Sequence, residues 1–234
     1  SDVKTSANVA DEILKISRSR NNQIWAIGGG KGGVGKSLVT ANVSICLALM
    51  GYKVVAIDLD LGGANLHTCL GVPIPDKTLS DFLSNRISSF DDLRTLTPIE
   101  NLSVISGAQD DMGMANIRQT HKTKILQRLY DLEADFILLD LGAGTSFNTL
   151  DFFISADKGI LTTLPEPTSI ENTYRFIKSY FYRKLKLAEG LEEIAPLIDQ
   201  VMNAKISQQS TPADLLKKAQ EINPTVARIL QKEI

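Results

Sequence analysis

A run of glycines carrying two lysines is the part of this chain best suited to do chemistry. Gly30-Lys31-Gly32-Gly33-Val34-Gly35-Lys36-Ser37 fits GxxxxGK[ST] and lies between a strand-like apolar run and an amphipathic helical one, the context in which such a loop binds phosphate. Glycine lets the backbone curl until successive N–H groups converge on phosphate oxygens, and the positive end of the following helix adds to the attraction. In that arrangement Lys36 lies against the β- and γ-phosphates of a nucleotide, and Ser37 gives its hydroxyl to Mg2+. The expected binding run therefore covers Gly30, Lys31, Gly32, Gly33, Val34, Gly35, Lys36, Ser37 and Leu38.

Three carboxylates complete the set. Asp140 closes the apolar run FILLD, where a phosphate-loop protein places the acid that supports Mg2+. Gly142 and Gly144 follow at once, giving a loop free to respond to a γ-phosphate. Asp58 and Asp60 end another apolar run as Asp-Leu-Asp, and strand spacing puts both side chains on one face. One of the pair can help organise Mg2+ and Ser37, and the other can orient an attacking water. His67 and His121 have no partner at metal-ligand spacing and are expected to be structural or solvated.

These groups need elements to hold them. Buried strands are expected at 23–29, 53–59, 102–106, 135–140 and 158–164, with helices at 37–50, 116–131 and 147–155 and one or two helical turns from Thr78. On the 37–50 helix, Val39, Val43, Leu47 and Met50 make one stripe, closed by Gly51. Short apolar strands alternating with amphipathic helices mean βαβ units, so the fold expected is α/β, a doubly wound and mainly parallel sheet with helices on both faces. Beyond Leu164 the pattern becomes helical. Ile170, Tyr174, Ile177, Phe181 and Leu185 mark one helix, Leu191 to Met202 another, and Pro212 to Ile234 two more around Pro224. The organisation expected is an amino-terminal arm at 1–22, a nucleotide-binding domain at 23–187 and a helical insertion or extension at 188–234, after which the natural chain continues.

Composition limits the alternatives. With 43% hydrophobic and 22% charged residues among 234, the chain has ample material for one large core. A net charge of −2 argues against a dedicated nucleic-acid binder. Two cysteines, Cys46 and Cys69, form no CxxC pair, suit a reducing cytosol and are expected to pack as small buried apolar groups. The uncharged stretch 37–52 is too short and too polar to span a bilayer. The helix from 170 to 187 gathers five basic and five aromatic residues, and the aromatics are expected to face the sheet.

With the second lysine, Lys31, the loop KGGVGKS resembles the deviant Walker A box of the MinD/ParA superfamily of P-loop ATPases. DLDLGGANL at 58–66, DLGAG at 140–144 and TTLPEPTSI at 162–170 are similar to the same group, and most of all to its FleN/FlhG flagellar number regulators and MinD-like relatives. The resemblance covers about residues 23–182. It implies an ATP-dependent homodimer in which Lys31 of each subunit reaches the phosphates held by the other, Asp60 positions water and Asp140 holds a magnesium-bound water, which leaves Asp58 with the metal. It also implies slow Mg2+-dependent ATP hydrolysis triggered by a protein activator, in a cytoplasmic switch for flagellar number, division-site placement or a similar spatial task. The adenine-reading Asn of the family has no counterpart, since Asn203 ends a helical stretch. Membrane attachment is expected only through regions outside this chain, and DNA partitioning of the ParA kind is the alternative reading, which the charge balance does not favour. An iron–sulfur carrier would need a CxxC, and a tyrosine autokinase a carboxy-terminal tyrosine cluster; the last tyrosine here is Tyr182.

Overall fold

The computed structural model describes residues 22–60, 63, 65–107 and 119–187, and further on 196, 216, 217, 219–221 and 223–233. By internal contacts the chain divides into a unit Glu12–Phe176 and a unit of Ser1–Asp11 with Ile177–Ile234. The arm expected over 1–22 and the helix expected over 191–202 fall almost wholly outside the described residues.

In the first unit, the glycine loop separates β1 (Gln23–Gly28) from α1 (Lys36–Leu49). Then come β2 (Val54–Leu59), the short α2 (Leu66–Cys69) and α3 (Leu79–Leu83), a 3-10 turn at Asp91–Leu93, β3 (Thr95–Leu96) and β4 (Leu102–Ile105). After these stand α4 (Gln119–Asp131), β5 (Phe136–Leu141), α5 (Phe147–Ser155), β6 (Lys158–Leu161) and the start of α6 (Pro167–Leu187), a helix that continues from Ile177 in the second unit. The sheet order is β3-β4-β2-β5-β1-β6, parallel except for β3, which runs antiparallel to β4. This is the doubly wound α/β arrangement expected from the alternation of elements. Register puts Ile27 and Asp58 opposite Asp140 on either side of β5, so the ends of the three inner strands lie side by side. Ligands bind outside such carboxyl ends in open α/β sheets.

Burial explains which residues became strands. Every residue of β2 is buried, as are five of the six in β5, the signature of strands covered on both faces. Each fully buried Ile, Leu or Val contributes roughly 1.5–3 kcal/mol. Gly51 sits at φ 92 just past α1 and ends it, a conformation glycine adopts without a Cβ penalty. Thr78 and Asp81 form a reciprocal capping box at the start of α3.

Several expectations are corrected by packing. The face that α1 buries fully is small, with Thr40, Ala41, Ser44 and Ala48; Val39, Val43 and Leu47 flank it half-buried, and Met50 is 70% exposed. Small residues let the helix lie close to the sheet, so its largest side chains are displaced to the sides. For the same reason Cys46 is exposed, and so is Cys69, against the expectation that both are buried. On α6 the stripe Ile170, Tyr174 and Ile177 is largely exposed, while Ser169, Phe176, Tyr182 and Leu185 are buried. The expected loop over 60–78 contains the single turn α2, and β3 was not expected at all. His67 is buried, with its Nδ1 unpartnered, and His121 is half-buried.

In the second unit, Asn223 caps the helix α7 (Pro224–Glu233) by accepting the Thr225 N–H at 2.9 Å, and Pro224 occupies the first helical position. Among the described residues no helix is long and apolar enough to cross a membrane.

Candidate functional site

Gly33 and Gly35 hold φ of 75 and 87, left-handed values that would strain any residue with a Cβ. A Cβ placed at Gly32, Gly33 or Gly35 would meet nothing within 4 Å, so the loop bends around open space. Gly30 is different: a Cβ there would lie 2.2 Å from the carbonyl oxygen of Asn172 and 2.8 Å from the Thr173 nitrogen. The base of the loop thus rests directly on the backbone of α6. Neighbouring turns are stitched to it, with Gly144 N–H donating to the Gly29 carbonyl at 3.1 Å and Thr162 N–H to the Gly28 carbonyl at 3.0 Å.

Lys36 opens α1 and is only 8% exposed. Asp140, at the end of β5, is 1% exposed. Its Oδ1 accepts from the Thr40 hydroxyl at 3.2 Å, a group also 3.0 Å from the Lys36 carbonyl. Burial pushes the Asp140 carboxyl above its ordinary range, opposed by the Ser37 hydroxyl, the Lys36 charge and the Thr40 hydroxyl. Its Oδ2 is buried with no partner. An orphaned buried carboxylate oxygen beside a serine hydroxyl and an open glycine hollow is the arrangement a hydrated divalent cation on a phosphate chain would complete. Among the described residues no group of three or more His, Cys, Asp or Glu could hold a metal alone.

Asp58, 1% exposed, has a backbone partner at each oxygen: Oδ1 accepts the Asp60 N–H at 2.9 Å and Oδ2 the Leu66 N–H at 3.0 Å. Its pKa is pushed up from 3.8 to about 7, chiefly by burial, with the Asp140 and Asp60 charges adding and the two N–H groups opposing. Asp60 is half-exposed, and its Oδ1 lies 3.4 Å from where a Gly142 Cβ would stand. The side chain of Asp60 therefore lies against the 142–144 turn, which glycine leaves open.

Lys31 stands at the mouth of the loop with its side chain 45% exposed, its ammonium 3.9 Å from Glu166 Oε2. Lys36, Ser37, Asp140, Asp60 and Asp58 are thus gathered at the carboxyl ends of neighbouring inner strands, with Lys31 at the rim and Leu38 on the outer side of α1, 60% exposed. Sequence reasoning missed Thr40, Glu166 and the Asn172–Thr173 backbone. Thr40 stands one helical turn after Lys36 on the buried face, a signal that could have been read. Nothing in the spacing points to the other two.

The family model described as ParA, NUBPL iron-transfer P-loop NTPase, matches residues 20–198. This chain belongs to the ParA family of P-loop NTPases. It is 32% identical over 158 residues to the antiactivator FleN of Pseudomonas aeruginosa, covering 67% of this chain and 55% of FleN. Over 163 residues it is 32% identical to the flagellum site-determining protein YlxH of Helicobacter pylori, covering 68% and 53%. The chain therefore spans little more than half the length of these relatives. Among solved structures, the septum site-determining protein MinD of Pyrococcus horikoshii, complexed with Mg-ADP, superposes with a TM-score of 0.60 at 31% identity, covering 79% of each chain.

Proposed function

We propose that this chain is the nucleotide switch of a MinD/ParA-type ATPase. It binds Mg-ATP in the 30–38 loop, associates with a second copy across that mouth, hydrolyses slowly and then separates. The process it serves is spatial placement, of flagella or of a division site, as the names of the flagellum site-determining protein YlxH and the septum site-determining protein MinD suggest.

The observation that carries this reading is the exposure of Lys31 at the rim, together with exposed apolar groups on the three helices that start at the same end of the sheet. Leu38 at 60%, Phe147 at 61%, Ile170 at 56% and Tyr174 at 63% stand on the opening turns of α1, α5 and α6. These helices follow the adjacent parallel strands β1, β5 and β6, so all three begin at the carboxyl end of the sheet. A half-exposed lysine amid apolar contacts suits a surface that a second copy covers.

Lys36 binds the phosphates; Ser37 and Asp140 are the residues that would hold a hydrated Mg2+, which when bound would neutralise charge on the phosphate chain. Asp60 takes up the water that attacks. Lys31 leaves Glu166 and supplies positive charge across the interface, an effect worth about 10³–10⁵ in rate for comparable trans-acting cations. An iron-transfer role would require thiolate ligands, and Cys46 and Cys69 form no CxxC pair.

The test is solution mass by light scattering, with and without Mg-ATP, for the wild type, Asp60→Ala and the Asp60→Ala, Lys31→Ala double variant. A dimer should form only with ATP, accumulate in Asp60→Ala and be absent from the double variant. A chain that binds ATP and stays monomeric throughout refutes the switch.

A further inference from the structure

We propose that Asp58 is a positioning residue: its carboxylate clamps Asp60 and Leu66, and so fixes where Asp60 stands, rather than serving the metal. The proposal rests on the reading of Asp60 as the group that orients water. Both Asp58 oxygens already accept backbone N–H groups, at 2.9 and 3.0 Å, from residues two and eight positions along. The adjacent carboxylate in register, Asp140, is the one that keeps an unpartnered buried oxygen. The two acids therefore divide the work, Asp140 facing the phosphate loop and Asp58 holding the N–H groups of Asp60 and Leu66.

The clamp has one fixed post and one adjustable end. Leu66 is 0% exposed and is held in the core with Ala56 and Leu70. Asp58 itself belongs to β2, an inner strand buried along its whole length. Asp60 lies just beyond β2, half-exposed, with its side chain beside Gly142 and Gly63. Two bonds from one side chain, to a fixed residue and to Asp60, set the approach of Asp60 to the 142–144 turn, and each strengthens when the acceptor is ionised. A carboxylate is the side chain that can accept from both N–H groups, since the asparagine amide offers one oxygen and presents its donor to the other.

Hydrogen exchange at the Asp60 and Leu66 amides tests this in the wild type, first without ligand and then with Mg-ADP. Protection in both states is expected; loss of protection on adding Mg-ADP would overturn the proposal, because Asp58 would then have turned to the metal. In Asp58→Asn, exchange at one or both amides should accelerate about tenfold or more. Its kcat should fall by about 10- to 100-fold, the usual cost of losing a partner that orients a reacting group. The Mg2+ concentration for half-maximal hydrolysis should stay unchanged, and a large shift there also overturns the clamp. If the variant does not fold, the wild-type exchange decides. Full activity in Asp60→Ala would sink the water-orienting reading of Asp60 while leaving the exchange result, and the clamp, standing.

Discussion

Gly30 and Gly32 are two residues apart in the same loop, and a methyl group added at each should do opposite things. At Gly30 the new Cβ would stand 2.2 Å from the Asn172 oxygen and 2.3 Å from its carbonyl carbon, where a carbon–oxygen contact wants about 3.3 Å. The colliding atoms are backbone, so no side chain can swing aside, and the loop and α6 must separate by about 1 Å. Overpacking of this kind costs about 3 kcal/mol, which in a chain of this size lowers Tm by about 6–12 °C. At Gly32 nothing lies within 4 Å and φ is unremarkable, so Gly32→Ala should melt with the wild type. Its methyl instead enters the space the phosphates need. Differential scanning fluorimetry with and without Mg-ADP separates the two effects. Ligand at one hundred times its Kd stabilises by about 2.7 kcal/mol, a rise of about 5–11 °C, and Gly32→Ala should lose that rise. If Gly30→Ala melts within a degree or two of the wild type, the close seating of the loop on α6 is refuted.

Two further outcomes follow from buried charge. Without nucleotide or Mg2+, Asp58 titrates near 7 in the folded chain against 3.8 unfolded. The folded state then holds the extra proton between about pH 4 and 7, so stability falls as pH rises through that window. The shift corresponds to an amount on the order of 4 kcal/mol. Urea unfolding at pH 5 and pH 8 should show a steeper loss for the wild type than for Asp58→Asn, and equal slopes would refute it. Lys122 on α4 and Asp151 on α5 form an ion pair whose side chains are 3% and 8% exposed. Lys122→Met should cost about 3–5 kcal/mol, and adding Asp151→Leu should restore much of it, as read from urea midpoints; a double variant no more stable than the single one would count against the pair.

The strands, the phosphate loop and the carboxylates were legible because each announces itself locally. The apolar run FILLD has no polar face to give water, and GGVGKS can do little but turn around an anion. The surfaces of α1 and α6 were not legible in the same way. Hydrophobic spacing identified both helices, yet depth of approach decided which face went in, and Thr40, Ala41, Ser44 and Ala48 won over Val39, Val43 and Leu47 because a small face packs closer. The partners of Lys31 and Gly30 come from a turn and a helix well over a hundred residues away in sequence, and no local pattern encodes that meeting. Asp58 is assigned by type and position alone, and its two bonds to the N–H groups of Asp60 and Leu66 depend on tertiary folding that no local pattern announces.

The order of the sheet has a consequence for how this molecule fails. The phosphate loop springs from β1, Asp58 belongs to β2 and Asp140 to β5, and these are neighbouring inner strands. The outermost strands are β3, two residues long, and β6, of which no residue is fully buried. Fraying begins at such margins and reaches the innermost strands only with global unfolding. Fraying at either margin will thus leave the strands that carry Asp58 and Asp140 intact until the whole sheet gives way, whereas Lys31 and Asp60, on loops beyond the strand ends, loosen first.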